Sequence, residues 1–344
     1  MGVVEWELNE ELAIASEENL KALGADAVRI PFNQKIPDGL ALLTVHGPYR
    51  SLAPLATQLL EYGSRPRPGL ILTLTEQLPA PWIPEWIKLG ASRLRAAAER
   101  IANRPDLHGT WSSNPRWAWL TGRAHRFLYY GELCWLRETG LLSALVVSSR
   151  RTAAYLSQKG FDPLVPPSVR LHPRWGTDLG LERTIPVLWI GKVATARRQR
   201  ILARIRKQLN ARGVELMMVD GVQHPYLFGE ERTQLLNRTK IVLNILREPW
   251  DDNSMRYHLA MANGALIVSE PTLRHTDFIP GRHMVEARVQ DMADTLQYYL
   301  THEQERSKLV RQAVEHLSAG TNTQADWTVK VFEHALARRN DSRG

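Results

Sequence analysis

The chain has 344 residues, with 44 Lys and Arg against 36 Asp and Glu and a formal net charge of +8 at pH 7. This length exceeds the usual size of a single hydrophobic core, so two domains are expected. A hydrophobic content of 44% and a charged content of 23% are ordinary for a globular protein, and no low-complexity tract interrupts the sequence.

The only cysteine, Cys134, excludes a disulfide within one chain and a cysteine-based zinc site. The first residues are acidic and unlike a signal peptide, and no apolar run approaches the ~20 residues that a membrane span needs. We therefore expect a cytoplasmic protein without a membrane span. The positive charge would suit nucleic acid, an anionic lipid surface or a diphosphate-bearing substrate.

The first half of the chain alternates predicted helices and strands, which favours a parallel, doubly wound sheet. The predicted strands are 27–32, 40–46, 70–76 and 144–148, and the predicted helices are 10–23, 51–62 and 150–159. Residues 83–138 are mostly helical and rich in aromatic residues, and we interpret them as an insertion that forms either an aromatic acceptor pocket or core packing. Residues 1–165 are thus predicted to form a Rossmann-like domain.

The second half repeats the alternation after an irregular segment. Residues 166–183 are rich in proline and glycine, which is typical of a linker. Predicted strands at 186–190, 214–219, 240–246 and 265–268 alternate with helices and indicate a second Rossmann-like domain over 184–323. We expect the last helix, in 324–344, to pack back on the N-terminal domain.

The most informative segment runs from Arg256 to Pro271 and reads Arg-Tyr-His-Leu-Ala-Met-Ala-Asn-Gly-Ala-Leu-Ile-Val-Ser-Glu-Pro. A short helix stops at Asn-Gly, an apolar strand follows, and polar residues stand at the carboxyl end of the strand, where open α/β sheets bind ligands. Together with Phe278-Ile-Pro-Gly-Arg-His283, the segment resembles the donor half of GT-B glycosyltransferases, most nearly the spore-maturation-type (CgeB-like) relatives of glycosyl transferases group 1.

This resemblance, clearest over roughly residues 184–320, implies an α/β protein of the GT-B fold, with two Rossmann-like domains facing across a cleft. It implies transfer of a sugar from a nucleoside-diphosphate sugar to an unknown acceptor, with retention of configuration. It implies neither a metal nor a resident cofactor, because the nucleotide sugar is a substrate. The donor would bind the C-terminal domain and the acceptor the N-terminal domain.

The turn after the strand at 186–190 suits a diphosphate, since a glycine, a helix N-terminus and basic side chains meet there. The resemblance implies a basic pair with Lys192 as its first member and Arg197 or Arg198 as its second. Arg256 is expected to lean toward the same place and to contribute to catalysis. The predicted donor-binding residues are Gly191, Arg197, Arg232, Asn237, Asn244, Asp251, Ser269 and Glu270, and the predicted catalytic residues are Lys192, Arg198, Arg256 and His46.

One position departs from the family pattern. Retaining relatives carry two glutamates eight residues apart, which align with Asp251 and Leu259. Leu259 removes the carboxylate that grips the donor ribose, and this favours an alternative function as a non-catalytic protein that binds a nucleotide or sugar. A further alternative, from the net charge alone, is a protein that binds nucleic acid or a membrane surface.

The N-terminal domain offers candidates for acceptor binding at two strand ends. His46, beside Gly47 and close to Tyr49, ends one predicted strand, and Glu76 ends another. Either His46 or Glu76 would bind an acceptor, or act as a general base if the enzyme were inverting, whereas a structural role is the alternative for a lone histidine. The expected partners are a nucleotide sugar and an acceptor but no nucleic acid, with peripheral membrane contact left open.

Overall fold

A computed structural model describes residues 1–5, 10–32, 34–47, 51–63, 65–102, 115–166, 175–193, 195–247, 255–271, 278–319 and 321–341. The chain divides into two compact units. Unit 1 comprises Met1–Val165 together with Val329–Gly344, and unit 2 comprises Pro166–Thr328.

Unit 1 is a parallel sheet with helices, as the sequence predicts. Its strands are β1 (Gly2–Glu5), β2 (Val28–Pro31), β3 (Leu42–Gly47), β4 (Gly69–Leu74), β5 (Leu142–Val147) and β6 (Pro163–Leu164). Its helices are α1 (Glu10–Ala22), α2 (Ala53–Leu60), α3 (Glu85–Ala102), α4 (Pro115–Glu138) and α5 (Arg150–Ser157). The strand order is β2-β1-β3-β4-β5-β6, and every pairing is parallel.

The central strands of this sheet are apolar on both faces because helices cover both sides. Leu43, Val45, Leu70 and Leu72 are buried in one core cluster with Tyr130 of α4. In the predicted insertion Tyr129 and Tyr130 are therefore core residues and Trp135 packs against this cluster, whereas Trp86 is exposed. Trp111 lies outside the described residues, and the side chains of Trp117 and Trp119 are also outside the description.

The helical pair α3–α4 is closely packed at one glycine. A Cβ atom added to Gly131 of α4 would lie 1.9 Å from Ser92 Oγ and 2.6 Å from Ser92 Cβ on α3. Lys88 of α3 is fully buried, and its ammonium donates to the Tyr155 hydroxyl at 2.5 Å. The pair is thus held by packing and by a buried polar contact to α5.

Unit 2 is a second parallel sheet. Its strands are β7 (Ile185–Ile190), β8 (Leu216–Val219), β9 (Thr239–Asn244), β10 (Leu266–Ser269) and β11 (Val285–Glu286). Its helices are α6 (Ala196–Asn210), α7 (Gly229–Asn237), α8 (Met255–Ala262), α9 (Met292–Thr301) and α10 (Glu303–Ala319). The order is β11-β10-β9-β7-β8 with parallel pairing throughout, which confirms the sequence prediction of a second Rossmann-like sheet.

The last helix, α11 (Thr321–Asp341), begins in unit 2 and ends in unit 1. Its Ala335 is fully buried, and Phe332 packs against the cluster that contains Val3. Arg339 Nε donates to the Arg67 carbonyl at 2.8 Å. Among the described helices, none is both long and apolar enough to cross a membrane.

Candidate functional site

The candidate site lies at the carboxyl edge of the sheet in unit 2. Because the strands are parallel, the residues that follow β7, β8, β9 and β10 emerge at the same edge. Ser269 pairs in register with Asn244, and Ile190 pairs with Val219. The predicted residues Gly191, Lys192, Asn244, Ser269 and Glu270 are therefore brought to one edge.

The turn after β7 depends on Gly191. Its φ of 116° is a conformation that residues with a Cβ atom rarely adopt. Its N–H donates to the Val219 carbonyl at 2.9 Å, and its carbonyl accepts from Trp189 Nε1 at 2.8 Å. A Cβ here would also lie 3.1 Å from an Arg256 guanidinium nitrogen. Glycine thus lets the turn pass close to Arg256.

Lys192 follows this turn, and its side chain is exposed. Three residues later Thr195 caps α6, since its Oγ1 accepts from the Arg198 N–H at 3.2 Å. The first N–H groups of a helix point outward and carry positive partial charge. The Lys192 ammonium and the N-terminus of α6 therefore stand at neighbouring positions in the chain, an arrangement that attracts an anion.

Arg197 and Glu270 form a bidentate ion pair across the carboxyl edge. The guanidinium nitrogens lie 3.1 and 2.5 Å from the two carboxylate oxygens, and Nη1 also donates to the Leu246 carbonyl at 3.0 Å. Glu270, only 4% exposed, also accepts from the Leu246 N–H at 2.8 Å. The sequence predicted Glu270 as a ligand for donor hydroxyls, but the structure places it in a contact that joins α6 to the ends of β9 and β10.

Arg198 points the other way and is buried, at 2% exposure. Its Nε donates to the Ile245 carbonyl and its Nη1 to the Lys192 carbonyl, both at 3.0 Å. Its guanidinium also lies 5.1 Å from the centroid of the Trp189 ring. The sequence left open which of the neighbouring arginines completes the basic pair with Lys192, and it named Arg198 as catalytic. Because Arg198 holds the backbone of the turn, the structure favours a positioning role, and the catalytic role stays a prediction.

Arg256 is buried as well, and it contacts the carboxyl ends of β7 and β9. Its Nε donates to the Ile190 carbonyl at 3.1 Å, its Nη1 donates to Asn244 Oδ1, and its guanidinium lies 4.4 Å from the Trp189 ring centroid. It leans toward the site as predicted, but what it grips is the last carbonyl of β7. These contacts favour a positioning role for Arg256, and its catalytic role stays a prediction.

A buried hydrogen-bond network supports Arg256. Asn244 Nδ2 donates to Ser269 Oγ at 2.9 Å and to the Tyr257 hydroxyl at 3.3 Å, and the two hydroxyls are 2.8 Å apart. Both ends of the Asn244 amide thus contact protein groups, whereas the sequence predicted Asn244 and Ser269 as donor ligands. Sequence reasoning missed Tyr257 and Trp189. The signal that could have indicated them is that each is an aromatic residue close to a predicted site residue in the sequence.

Asn237 is the clearest misplacement. It is the last residue of α7 and precedes β9, so it lies at the amino edge of the sheet, about 17 Å of strand away from the site. Its Nδ2 donates to the Thr177 and Thr233 carbonyls and to Asn263 Oδ1, and its Oδ1 accepts from the Leu179 N–H. This position and these partners favour a structural role for Asn237, and the donor-binding role stays a prediction. Arg232, in contrast, is in the first turn of α7, on the carboxyl side.

In unit 1, His46 lies at the carboxyl end of β3 beside Gly47. Its Nε2 is 2.9 Å from Ser16 Oγ, and burial lowers the pKa of the ring to about 4. A base whose pKa is far below the operating pH accepts protons poorly. This argues against the predicted catalytic role of His46. Glu76 follows β4 at the same edge, whereas Tyr49 and Asp251 lie outside the described residues.

A buried histidine pair lies near the end of the second sequence motif. His283 Nδ1 accepts from the Ile279 N–H at 3.2 Å, and its ring stacks on His316 with the centroids 4.4 Å apart. Burial, together with His316 and Arg282, lowers the pKa of His283 from 6.5 to about 4. The ring is therefore neutral in the native protein at neutral pH.

We expect the free energy of unfolding to fall as the pH is lowered from about 6.5 toward 4. In this window the unfolded chain binds a proton at position 283 and the native chain does not, so acid favours unfolding, by up to about 3 kcal/mol. In His283→Asn the amide oxygen can accept from Ile279 in place of Nδ1, so urea denaturation should show a weaker dependence on pH. Identical pH dependence in both proteins would contradict the assignment.

Comparison with known proteins connects this edge to a family. Residues 192–333 match the model of a family described as glycosyl transferase-like. Most of unit 2 is therefore similar to that family. The match begins at Lys192, in the turn that carries the exposed ammonium, and it runs beyond α10. A search of curated proteins with the whole sequence found no match.

Solved structures with a similar fold cover most of the chain. TarM matches at a TM-score of 0.51 and 8% identity over 85% of this chain and 54% of that chain. An S. aureus TarM mutant in complex with Fondaparinux, alpha-GlcNAc-glycerol and UDP matches at a TM-score of 0.50 and 8% identity. The match covers 84% of this chain and 55% of that chain. Anabaena HepE in complex with UDP and glucose matches at a TM-score of 0.47 and 13% identity, over 96% of this chain and 98% of that chain.

The chain thus spans about half the length of TarM. Two parallel α/β sheets and the likeness to TarM confirm the predicted GT-B fold class. The chain is thus similar to a glycosyl transferase-like family over residues 192–333, and the spore-maturation-type subgroup stays a prediction.

Proposed function

We propose that the protein is a glycosyltransferase that takes a sugar from a nucleoside-diphosphate sugar. The single observation that carries this proposal is the exposed Lys192 ammonium, which follows the Gly191 turn and precedes the N-terminus of α6 in a domain matched to the family. Negative charge develops on the diphosphate as it leaves, and a fixed cation beside helix N–H groups stabilises that charge.

The buried arginines support this role indirectly. Arg198 holds the Lys192 carbonyl and Arg256 holds the Ile190 carbonyl, so the turn is fixed on both sides before any ligand arrives. A site whose donors are already in place loses less entropy and less reorganisation energy when it binds. Lys192 is thus the proposed phosphate ligand, and the two arginines position the backbone that presents it.

The loop after the neighbouring strand β8 is a candidate binding place for the nucleobase of the donor. Asp220 and Gly221 follow β8, which pairs with β7, and Asp220 Oδ1 accepts from the Val222 and Gln223 N–H groups. In the same loop Tyr226 and Phe228 are exposed aromatic side chains. Aromatic faces bind bases by stacking, so this loop is the proposed support for the nucleobase.

Calorimetric titration with UDP tests the site directly, since UDP is bound in the TarM mutant structure. Lys192→Ala is expected to raise the Kd about 10- to 100-fold, because a charge-assisted contact is worth roughly 1.5–3 kcal/mol. Lys207→Ala, which removes an exposed lysine at the other end of α6, is the matched control and should leave the Kd unchanged.

The outcomes separate clearly. Equal Kd values for wild type and Lys192→Ala would move the phosphate site away from this turn. A wild-type protein that binds no nucleoside diphosphate would overturn the proposed function. Release of UDP from a UDP-sugar, followed over hours, reports whether binding is accompanied by chemistry.

The acceptor is proposed to bind at the carboxyl edge of unit 1, near Gly47 and Glu76. His46 contributes there through hydrogen bonding, since its low pKa makes it a weak base. Retention of configuration and independence from a metal rest on the resemblance of the sequence motifs.

One observation favours a second candidate, a non-catalytic nucleotide-binding protein. Leu259, which stands where relatives carry a glutamate, is partly buried against an apolar cluster that includes Tyr257 and Met261. The position is therefore built for packing in this chain. UDP binding without release of UDP from any UDP-sugar, in the same titration samples, would favour this candidate.

A further inference from the structure

Helix α3 of unit 1 exposes an apolar face. Trp86 and Leu94 are each 75% exposed, and Trp82, just before the helix, is 63% exposed. Ile87 is exposed as well. Large apolar side chains that share one exposed face are uncommon in soluble proteins and mark a surface that meets an apolar partner.

The exposed residues fall on one side of the helix. At about 100° per residue, Trp86, Gly90, Arg93, Leu94 and Ala97 lie within a sector about 100° wide. The buried Lys88 and Ser92 lie on the other side, against α4 and α5. The helix is therefore already packed on its inner side, whereas Trp86 and Leu94 on its outer side, which we call the Trp86 face, are exposed in the described part of the chain.

The charge of the Trp86 face points to the chemistry of the partner. Arg93 is exposed within it. Among the described side chains of α3, the acidic one is Glu85, and its carboxylate binds Lys159 at 2.9 Å and accepts from the Tyr130 hydroxyl. The face thus presents tryptophan, leucine and arginine without a free carboxylate among its described side chains, and the whole chain carries a net charge of +8.

We propose that the Trp86 face docks on an anionic lipid surface. Tryptophan and leucine insert at the boundary between headgroups and acyl chains, and arginine binds the lipid phosphates. This inference does not depend on the proposed function, because α3 lies in unit 1 and the donor residues lie in unit 2.

Sedimentation with vesicles tests the proposal on the full chain. The wild-type protein should sediment with phosphatidylglycerol vesicles and more weakly with phosphatidylcholine vesicles. Trp86→Ser/Leu94→Ser should lower the partition coefficient about tenfold or more, because it removes the inserted side chains. Arg93→Gln should weaken binding to phosphatidylglycerol only, and added salt should do the same.

The matched control is Leu60→Ser/Leu336→Ser, which removes two exposed leucines from other helices of unit 1. It should bind vesicles like the wild type, and all variants should keep the melting temperature because the changed residues are exposed. Equal sedimentation of wild type and Trp86→Ser/Leu94→Ser, or no sedimentation of the wild type, would overturn the proposal. So would a wild-type dimer that this double variant converts to a monomer, since the partner would then be a second copy.

Discussion

Asn244→Leu is expected to lower the free energy of unfolding by about 3–5 kcal/mol, because it leaves the buried Arg256 guanidinium without its side-chain acceptor. The leucine matches the asparagine in size but accepts no hydrogen bond. The Ser269 and Tyr257 hydroxyls also lose the amide that donates to them. Urea denaturation of the purified protein measures the loss.

Asn244→Asp is the matched control. One carboxylate oxygen can accept from Arg256, and the other can accept from the Ser269 or Tyr257 hydroxyl, which rotates to donate. Its loss should be no more than about 1 kcal/mol. If the leucine and aspartate variants were equally stable, the network would be irrelevant to stability. If the leucine variant nevertheless folds, its UDP affinity should also be lower, since Arg256 no longer fixes the turn at Gly191.

Gly131→Ala is expected to destabilise unit 1, whereas Gly90→Ala on the facing helix is expected to stabilise it. At Gly131 the new Cβ would overlap Ser92, and such overpacking costs about 1–3 kcal/mol. At Gly90 nothing lies within 4 Å of the new Cβ, so the helix gains about 0.5–1 kcal/mol from the better helix former. Thermal unfolding followed by circular dichroism compares the two.

A second substitution tests the cause. Gly131→Ala/Ser92→Gly moves the small residue from α4 to α3 and should recover part of the loss, although glycine weakens α3. Two contacting positions that share space are expected to be non-additive in this way. Additive losses in the double variant would show that the contact between α3 and α4 at this point is not what limits stability.

Most of the strands that were predicted well have mainly apolar sequences. The segments around β3, β4, β7, β9 and β10 are buried on both faces, and such runs leave little choice of structure. The strands β1, β6 and β11 were not predicted as strands. They have two to four residues each, too few to show a pattern. The strands β6 and β11 lie at the edges of their sheets, whereas β1 lies between β2 and β3.

The sequence predicted the location of the site residues better than the role of each residue. Glycine, lysine and the strand-end residues could be assigned to the carboxyl edge, since topology alone brings them there. The sequence could not predict the roles of Arg197 and Arg198. These roles depend on which backbone carbonyls at the ends of β7 and β9 have no other hydrogen-bond donor. Asn237 was expected beside the other donor residues because a residue before a strand and a residue after it look alike in a motif, yet they lie at opposite edges.

Unit 1 contains residues from both ends of the chain, and this has a consequence for biosynthesis. A ribosome releases β1 and α1 before unit 2, whereas the helix that covers Val3 through Phe332 emerges after the strands of unit 2. Unit 2, contiguous from Pro166 to Thr328, can complete its sheet while unit 1 still waits for α11. During translation we therefore expect the second half of the protein to become protease-resistant before the first.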